Sequence, residues 1–554
     1  MKVNKIFKMA VVSLGAVVAL SGCIRETFPK ESTITAEQLL GGQLEVMAES
    51  LLKGIPSGML SYVSGWEHTD FGYHSVGCYN DHAAKLIATT GWMTGLPAGY
   101  NRFYAAQYGW GYAPNSSLSS HVWYNYYPQI KSCNDIIELC SPEEQLSEYV
   151  GIAKTYRALF YLDLARMFEP LYAEAPNNPG YEAGVIEAQA LTVPIVDENL
   201  TEETAKNNPR ATREEMFKFI FADLADAEVR LADYVSKSPT NPTLAVVYGL
   251  YARAYLWLGG FSDGLSGELP EGNDAYAKAA EYARKAIDTF GGAIMSEYEW
   301  TNPTSGFNSM ASSWMWALVQ STDTIINNLF QFAAHMSPEA SYGYAPLSSP
   351  ALNGKHYDRL SNTDFRKKIV KGPKTTFEEF APYTLIKDEA EFEAFGPYTN
   401  FKFRPNLGER VDYMVAGAST LPLMRCEEMY FIEMEAVTHT QGDDAGWALL
   451  TQFMANRDSN YICPTMDIVD EIIFQKGIEF WGEGVIMYDM KRLDMPIDTA
   501  WDGTNFDESA RFKTNGRLPW WTYCIPQGET QINLGIKFNN PNPTQAWDPV
   551  LPKK

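Results

Sequence analysis

The sequence predicts a mainly α protein, a tetratricopeptide-like helical-repeat scaffold with long irregular loops and a few short strands. Three observations predict it. Apolar residues recur every three or four positions over several long segments, which is the helical period. Those segments pair as helix–turn–helix units with small residues at the crossings and aromatics between them. Alternating strand-like runs are scarce. With 45% hydrophobic and 20% charged residues in 554, the chain can bury a large core. The repeat spacing is not strict, so a regular solenoid is not expected.

The first helical segment runs from Tyr149 to Phe168, where Val150, Ala153, Tyr156, Phe160 and Leu164 share a face and Pro170 ends it. Thr212 to Glu215 forms a capping-box pattern, followed by Met216, Ile220, Leu224, Ala227 and Leu231 on one face. Val246 to Leu258 is the next helix, closed by two glycines. Asp274 to Phe290 presents Ala275, Ala279, Ala283 and Ala286 as a narrow face for close packing. Leu423 to Thr438, a turn at Gly442 and Ala445 to Asn456 make a late hairpin. Trp314 to Gln320 is the best strand, and residues 341–423 read as an irregular excursion between the helical halves.

The chain opens as an export signal. Lys2, Lys5 and Lys8 precede the apolar run Met9 to Leu20, which is too short for an ordinary membrane-spanning helix. Leu20-Ser21-Gly22-Cys23 follows, a pattern that looks like a bacterial lipobox with Cys23 as the lipidated residue. Residues 1–22 are the expected signal peptide, 23–35 a polar tether and 36–554 one domain with loop-rich insertions at 60–120 and 295–423. Two or more acyl chains would hold it to a membrane. The formal net charge of −24 argues against nucleic acid as a partner. The six cysteines after Cys23 are too sparse for a disulfide framework, and buried free thiols are expected.

Phosphate-loop, zincin, nucleophile-elbow and dinucleotide fingerprints are absent. The seven histidines lack tight metal spacing, so no metal site and no cofactor are expected; His68 and His74, in an aromatic stretch, suit a surface or a ligand rim. Glu479 and Glu483, four apart, are the nearest thing to a glycosidase carboxylate pair, but with Lys476, Lys491 and Arg492 nearby they read as structural ion pairs. The stronger bias is aromatic. Residues 62–127 hold 16 aromatics, against 13% in the whole chain. Flat, partly polar rings on loops suit sugars, whereas the same rings can also plug gaps between helices. Two loop regions qualify as a ligand surface, 91–112 and 296–316. Trp92, Tyr100, Trp110 and Trp300 are the candidate ligand-binding residues; Trp300, between Glu299 and Thr301, is expected to be exposed. Trp314 and Trp316 share one face of the strand, as core residues do.

Several short patterns together resemble the SusD/RagB family of Bacteroidetes outer-membrane lipoproteins. Trp123-Tyr124-x-x-Tyr127-x-x-Ile130-x-x-Cys133-Asn134 is similar to an early family helix, and Ala153-Lys154-x-x-Arg157-Ala158-x-x-Tyr161-x-x-Leu164 to the next. Asp364-x-Arg366, Arg425-x-x-Glu428 with Glu435-Ala436, Glu479 to Gly484 with Asp489-Met490-Lys491-Arg492, and Ile525-Pro526-x-x-Glu529-x-x-x-Asn533 match later ones. Gln475-Lys476 and Met434 depart from the pattern at positions that look architectural. The resemblance implies a non-catalytic lid on a SusC-like TonB-dependent outer-membrane transporter, anchored through lipid with the body outside the cell. It implies a glycan ligand for most members and a peptide for some. Oligopeptide capture, a surface glycoside hydrolase and a scaffold that binds only protein are the rival readings.

Overall fold

A computed structural model describes residues 44–62, 68–88, 109–325 and 327–551, together with Phe103 and Ala106. The chain divides into Met1–Glu49, of which residues 44–49 are described as the opening turns of α1 (Leu44–Met59), and Ser50–Lys554. The second unit is a stack of helices. α2 (Tyr73–Ala83) is followed by α3 (Ser117–Cys140), α4 (Ser147–Phe168), α5 (Arg213–Arg230), α6 (Leu244–Gly259) and α7 (Gly272–Phe290). After a long excursion come α8 (Cys426–Gln441), α9 (Asp443–Met454), α10 (Ile468–Glu479) and the short α11 (Ile486–Arg492).

Each start has a local cause. The Ser116 hydroxyl accepts from Leu118 N to open α3, and Thr212 and Glu215 form the expected reciprocal capping box at α5. Gly291 ends α7 at φ 99°, a left-handed conformation that favours glycine. From α3 to α8 every helix packs on the next, and α8 also meets α9 and α10. Small residues permit the close crossings: a β-carbon on Gly151 of α4 would lie 3.0 Å from the Arg230 and Leu231 side chains. Five cysteines, 78, 133, 140, 426 and 524, are buried free thiols as expected, whereas Cys463 is exposed.

The excursion between α7 and α8 starts and finishes at one place. β2 (Trp314–Val319) and β4 (Thr420–Arg425) pair antiparallel, from Trp314 opposite Arg425 to Val319 opposite Thr420, with an irregularity around Trp316. This corrects one expected boundary: Leu423 lies in a strand, and the helix begins at Cys426. The pairing partner is about a hundred residues upstream, so local periodicity does not reveal it. A second short pair, β1 (Ile87–Ala88) with β3 (Ala351–Leu352), ties the excursion to the segment after α2. Inside the excursion Phe380, Ile386, Phe392, Phe395 and Phe401 form a small core of their own. Met434 of α8 packs with Phe431, Leu450, Phe453 and Ile472 in the core beneath α8, α9 and α10. No helix among the described residues is long and apolar enough to cross a membrane.

Candidate functional site

Cys23, Trp92 and Tyr100 lie outside the described residues, as does the side chain of Trp110, whose backbone forms part of the 3-10 turn Gly109–Tyr112. Trp300 is described, and it is only 1% exposed. The expectation of exposure rested on its polar neighbours, and the structure turns those neighbours inward. Glu299 accepts from Ser296 N and from Ser312 N, and Thr301 donates its hydroxyl to Glu297 O, so a short capped helix, Glu297–Thr301, replaces the expected loop. The Trp300 ring packs edge-on to Phe307 at 4.8 Å. Tyr298, two residues earlier, is the exposed ring at 73%. Trp314 and Trp316 are buried in β2, the latter donating from Nε1 to Thr240 O at 2.7 Å. The three tryptophans of 296–316 therefore face inward, whereas Tyr298 and Met310 stay exposed.

Beside Trp300 lies a fully buried charge cluster. Glu479, at the end of α10, accepts from Arg457 at 2.9 and 3.0 Å and from Arg366 and Arg425 at 3.2 Å each. Glu483 accepts from Arg425 at 2.9 Å and from Lys402 at 2.6 Å. Burial alone would raise the Glu479 carboxyl, but Arg457 and Arg425 bring it well below the usual carboxylate range. The structural reading of these two glutamates holds, with different partners. The cations next to them in sequence are used elsewhere: Lys476 pairs with Asp489, Arg492 with Glu435, and Lys491 donates to the carbonyls of Arg166 and Glu169. The Asp364–Arg366 pair at 2.7 Å feeds the same cluster, and Arg253 holds Glu428 at 2.6 Å. Asp81 accepts from the backbone of Gly482 at 2.7 Å and Gly484 at 3.2 Å, in a turn where Gly484 has φ 75° and presses on Gly77. A carboxylate held by three arginines at 0% exposure is poorly placed to act as an acid or base on a substrate. Among the described residues no group of three or more His, Cys, Asp or Glu side chains is placed to hold a metal ion.

From this cluster a chain of rings leads outward. Trp300 touches Phe307, Phe307 touches Phe403 at 5.8 Å, and Phe403 meets Phe332 at 4.7 Å. Phe332 packs on Phe71 at 5.9 Å, and Phe71 stacks on His335 at 5.1 Å. The last tier is half-exposed. Tyr62 stacks on Phe330 at 5.1 Å and 17°; His68 stands edge-on to Phe330 at 5.6 Å and lies 5.7 Å from the Tyr344 ring, whose hydroxyl contacts His68 Nδ1. Tyr62 is 40% exposed, and Leu347, shortly after Tyr344 in sequence, is exposed as well. The expectation that His68 suits a rim agrees with this placement, whereas His74 is buried in α2.

The tier is held by backbone contacts. His335 Nε2 lies 2.8 Å from His68 O and 2.9 Å from Leu329 O, joining the two segments that carry the rings. Burial pushes His335 down to about 4, so the neutral ring donates one shared N–H to both carbonyls at neutral pH. Gln331 donates to Asn327 O and Tyr413 O, accepts from the Tyr342 hydroxyl, and the backbone of Tyr344 and Ala345 donates to Ala334 O. The sequence reading missed residues 327–347. The available signal is Tyr342-Gly343-Tyr344 beside Asn327-Asn328-Leu329-Phe330, rings set among turn residues.

Residues 88–256 match a SusD-like family model described as starch-binding associating with outer membrane. No curated protein matches the chain. Solved structures share the fold. A SusD-like carbohydrate binding protein from Bacteroides vulgatus ATCC 8482 is 19% identical at a TM-score of 0.64, over 89% of this chain and 97% of its own. A SusD superfamily protein from Bacteroides thetaiotaomicron VPI-5482 is 18% identical at 0.65, over 90% and 99%. A laminarin binding SusD-like protein is 17% identical at 0.60, over 89% and 98%. Residues 88–256 thus resemble the SusD-like family, and the chain shares the fold of SusD-like structures.

Proposed function

We propose that the chain is a non-catalytic surface lipoprotein that binds oligo- or polysaccharide and passes it to a SusC-like TonB-dependent transporter in the outer membrane. The observation that carries the reading is the half-exposed tier of Tyr62, His68, Phe330 and Tyr344, rings on irregular segments braced from below by His335. Such rings offer apolar faces to the C–H side of a sugar while Tyr344 and Tyr342 bring hydroxyls. The carbohydrate and laminarin binding named for structural neighbours supports the ligand class, and the family description supports the outer membrane. Cys23 supplies the anchor. The carboxylates that a hydrolase would need at Glu479 and Glu483 are occupied by arginine and lysine, which favours binding over cleavage.

The test is affinity electrophoresis of the full chain through gels containing starch, laminarin or other polysaccharides, with a peptide library in parallel. At least one glycan should retard the chain. Phe330→Ala should weaken that retention about five- to tenfold, the size expected for one lost ring. Binding only to peptides, or a Phe330→Ala chain retained like the parent, would overturn the reading. Cys23→Ser should move the protein out of the membrane fraction.

A further inference from the structure

Away from the tier, a groove of about 340 Å3 opens where four segments meet. They are Pro170–Leu171–Tyr172 after α4, the short helix Tyr181–Glu187 with Gln189 behind it, the turn Gly260–Asp263 after α6, and Arg517 near the C-terminus. This volume falls within the roughly 300–1,000 Å3 of small-ligand sites. Tyr172 is 51% exposed and Ile186 65% exposed, so an aromatic and an aliphatic side chain reach solvent together at its edge.

The polar groups are of mixed sign and mostly planar. Arg517 donates from Nη1 to Tyr172 O at 2.9 Å, and its Nη2 lies 3.5 Å from Arg492 O. Its Nε is buried without a hydrogen-bond partner, although Asp494 lies 3.2 Å away as an ion pair. A guanidinium has five N–H groups, so Arg517 keeps donors to spare. Asp263 is fixed by Arg213 at 2.7 and 3.1 Å, while Glu182, Gln189 and Ser262 stand exposed.

We propose that this groove is a second carbohydrate site, taking one or two residues of a neutral sugar. The proposal rests on the glycan reading of the protein but shares no residue with the Tyr62–Phe330 tier. A half-exposed ring offers an apolar face, and adjacent hydroxyls of a sugar can accept from the Arg517 fork and donate to Asp263 or Glu182. Those two carboxylates, and the net charge of −24, disfavour uronates and phosphorylated sugars. A second weak site on one molecule raises the retention of a polymer by effective concentration.

The experiment is saturation-transfer NMR of the full chain with millimolar maltose, laminaribiose and glucuronic acid. At least one neutral disaccharide should give transfer, and glucuronic acid none. Transfer should persist in Phe330→Ala and fall about tenfold in affinity in Tyr172→Ala. Because Arg517 also braces two backbone segments, the exposed Gln189→Ala provides the second variant, expected to weaken binding with an unchanged near-ultraviolet circular dichroism spectrum. A Tyr172→Ala chain that binds disaccharides like the parent, or glucuronic acid binding as well as the neutral sugars, overturns the proposal. So does an absence of any neutral disaccharide signal. Polysaccharide retention and its loss in Phe330→Ala are read separately, so failure of this site leaves the main reading standing, and the reverse holds.

Discussion

Two aromatic regions of this protein have similar composition and opposite circumstances. Around Trp300, the rings of Phe307, Phe403 and Trp481 are sealed, and the neighbours across their faces are Lys402, Arg425 and Arg457. Around Phe330, the rings of Tyr62, His68 and Tyr344 meet solvent, and the neighbours are turns and carbonyls. The first region spends its polar partners on itself: each cation near the rings already holds Glu479 or Glu483. The second leaves ring area to be used. Ring content alone does not separate a plug from a platform; the disposition of charge around the rings does.

The comparison breaks first at Glu479. Glu479→Ala would strand Arg366, Arg425 and Arg457 in a buried site, and removing one partner of a buried ion pair costs about 3–5 kcal/mol. Urea denaturation should show that loss; a variant with parental stability would mean the cluster is not what braces the inner rings. Trp300→Ala should cost a similar amount, about 3–5 kcal/mol, through the cavity it leaves, while the folded fraction binds glycan like the parent. Glycan binding lost in Trp300→Ala at native stability would place the ligand at the inner region instead.

Acid should weaken the fold through buried imidazoles. Burial pushes His74, His335 and His356 down to about 4 and His82 to about 3, from 6.5. Between pH 6.5 and 4 the unfolded chain takes up protons there that the folded chain refuses, so stability present above 6.5 is lost as pH falls, by about 1.4 kcal/mol per pH unit for each group. Asp81, pushed up to about 7 by burial, acts the other way, because the folded state keeps a proton that the unfolded state has released, and burial raises Asp223, Asp470 and Glu529 in the same sense. Four large histidine shifts against one large upward carboxyl shift give a net loss. Glu479, whose folded carboxyl lies far below its ordinary range, extends the loss below about pH 4.5. Thermal melts at pH 7, 6, 5 and 4 check it; a flat or rising series contradicts the burial of these rings.

The outer region should respond in the opposite manner. Tyr62→Ala should leave the melting point within a degree or two of the parent yet cost about 1 kcal/mol of glycan affinity, read by isothermal calorimetry. The smallest effect belongs to Tyr298, exposed at 73% and outside both regions: Tyr298→Ala should change stability by less than about 0.5 kcal/mol and affinity not at all. A binding defect there would shift the ligand surface towards the capped helix at Glu297–Thr301.

Where structure follows from local chemistry, the sequence was readable. The face of α4, the capping box at Thr212, the stop after Phe290 and the strand at Trp314 are set by residues within a turn or two of each other. The ion-paired character of Glu479 and Glu483 was readable too, because two close carboxylates in an apolar stretch require cations. Which cations was not, since Arg366, Lys402, Arg425 and Arg457 are brought in by the excursion and by the turn after α9 rather than by sequence neighbours. Trp300 misled for a related reason. Glu299 and Thr301 are polar, but a capping box and a hydroxyl-to-carbonyl bond satisfy them internally, so polarity beside the ring gave no exposure. The tier at Tyr62 and Phe330 unites segments some 270 residues apart, and no local pattern encodes that meeting.

The β2–β4 closure has a consequence in time. α7 ends at Phe290 and its neighbour α8 starts at Cys426, so the chain lays down one wall of that interface well before the other exists. At about 5–20 residues per second, roughly 7–27 s of synthesis separate them. Through that interval Tyr276, which finally stacks on His439 at 4.0 Å, and Arg284, which finally holds Glu433, await their partners on α8. The unfinished stack is the stage at which this chain is most exposed to aggregation and to proteases, and β2 is already made and waiting for the strand that ends the interval.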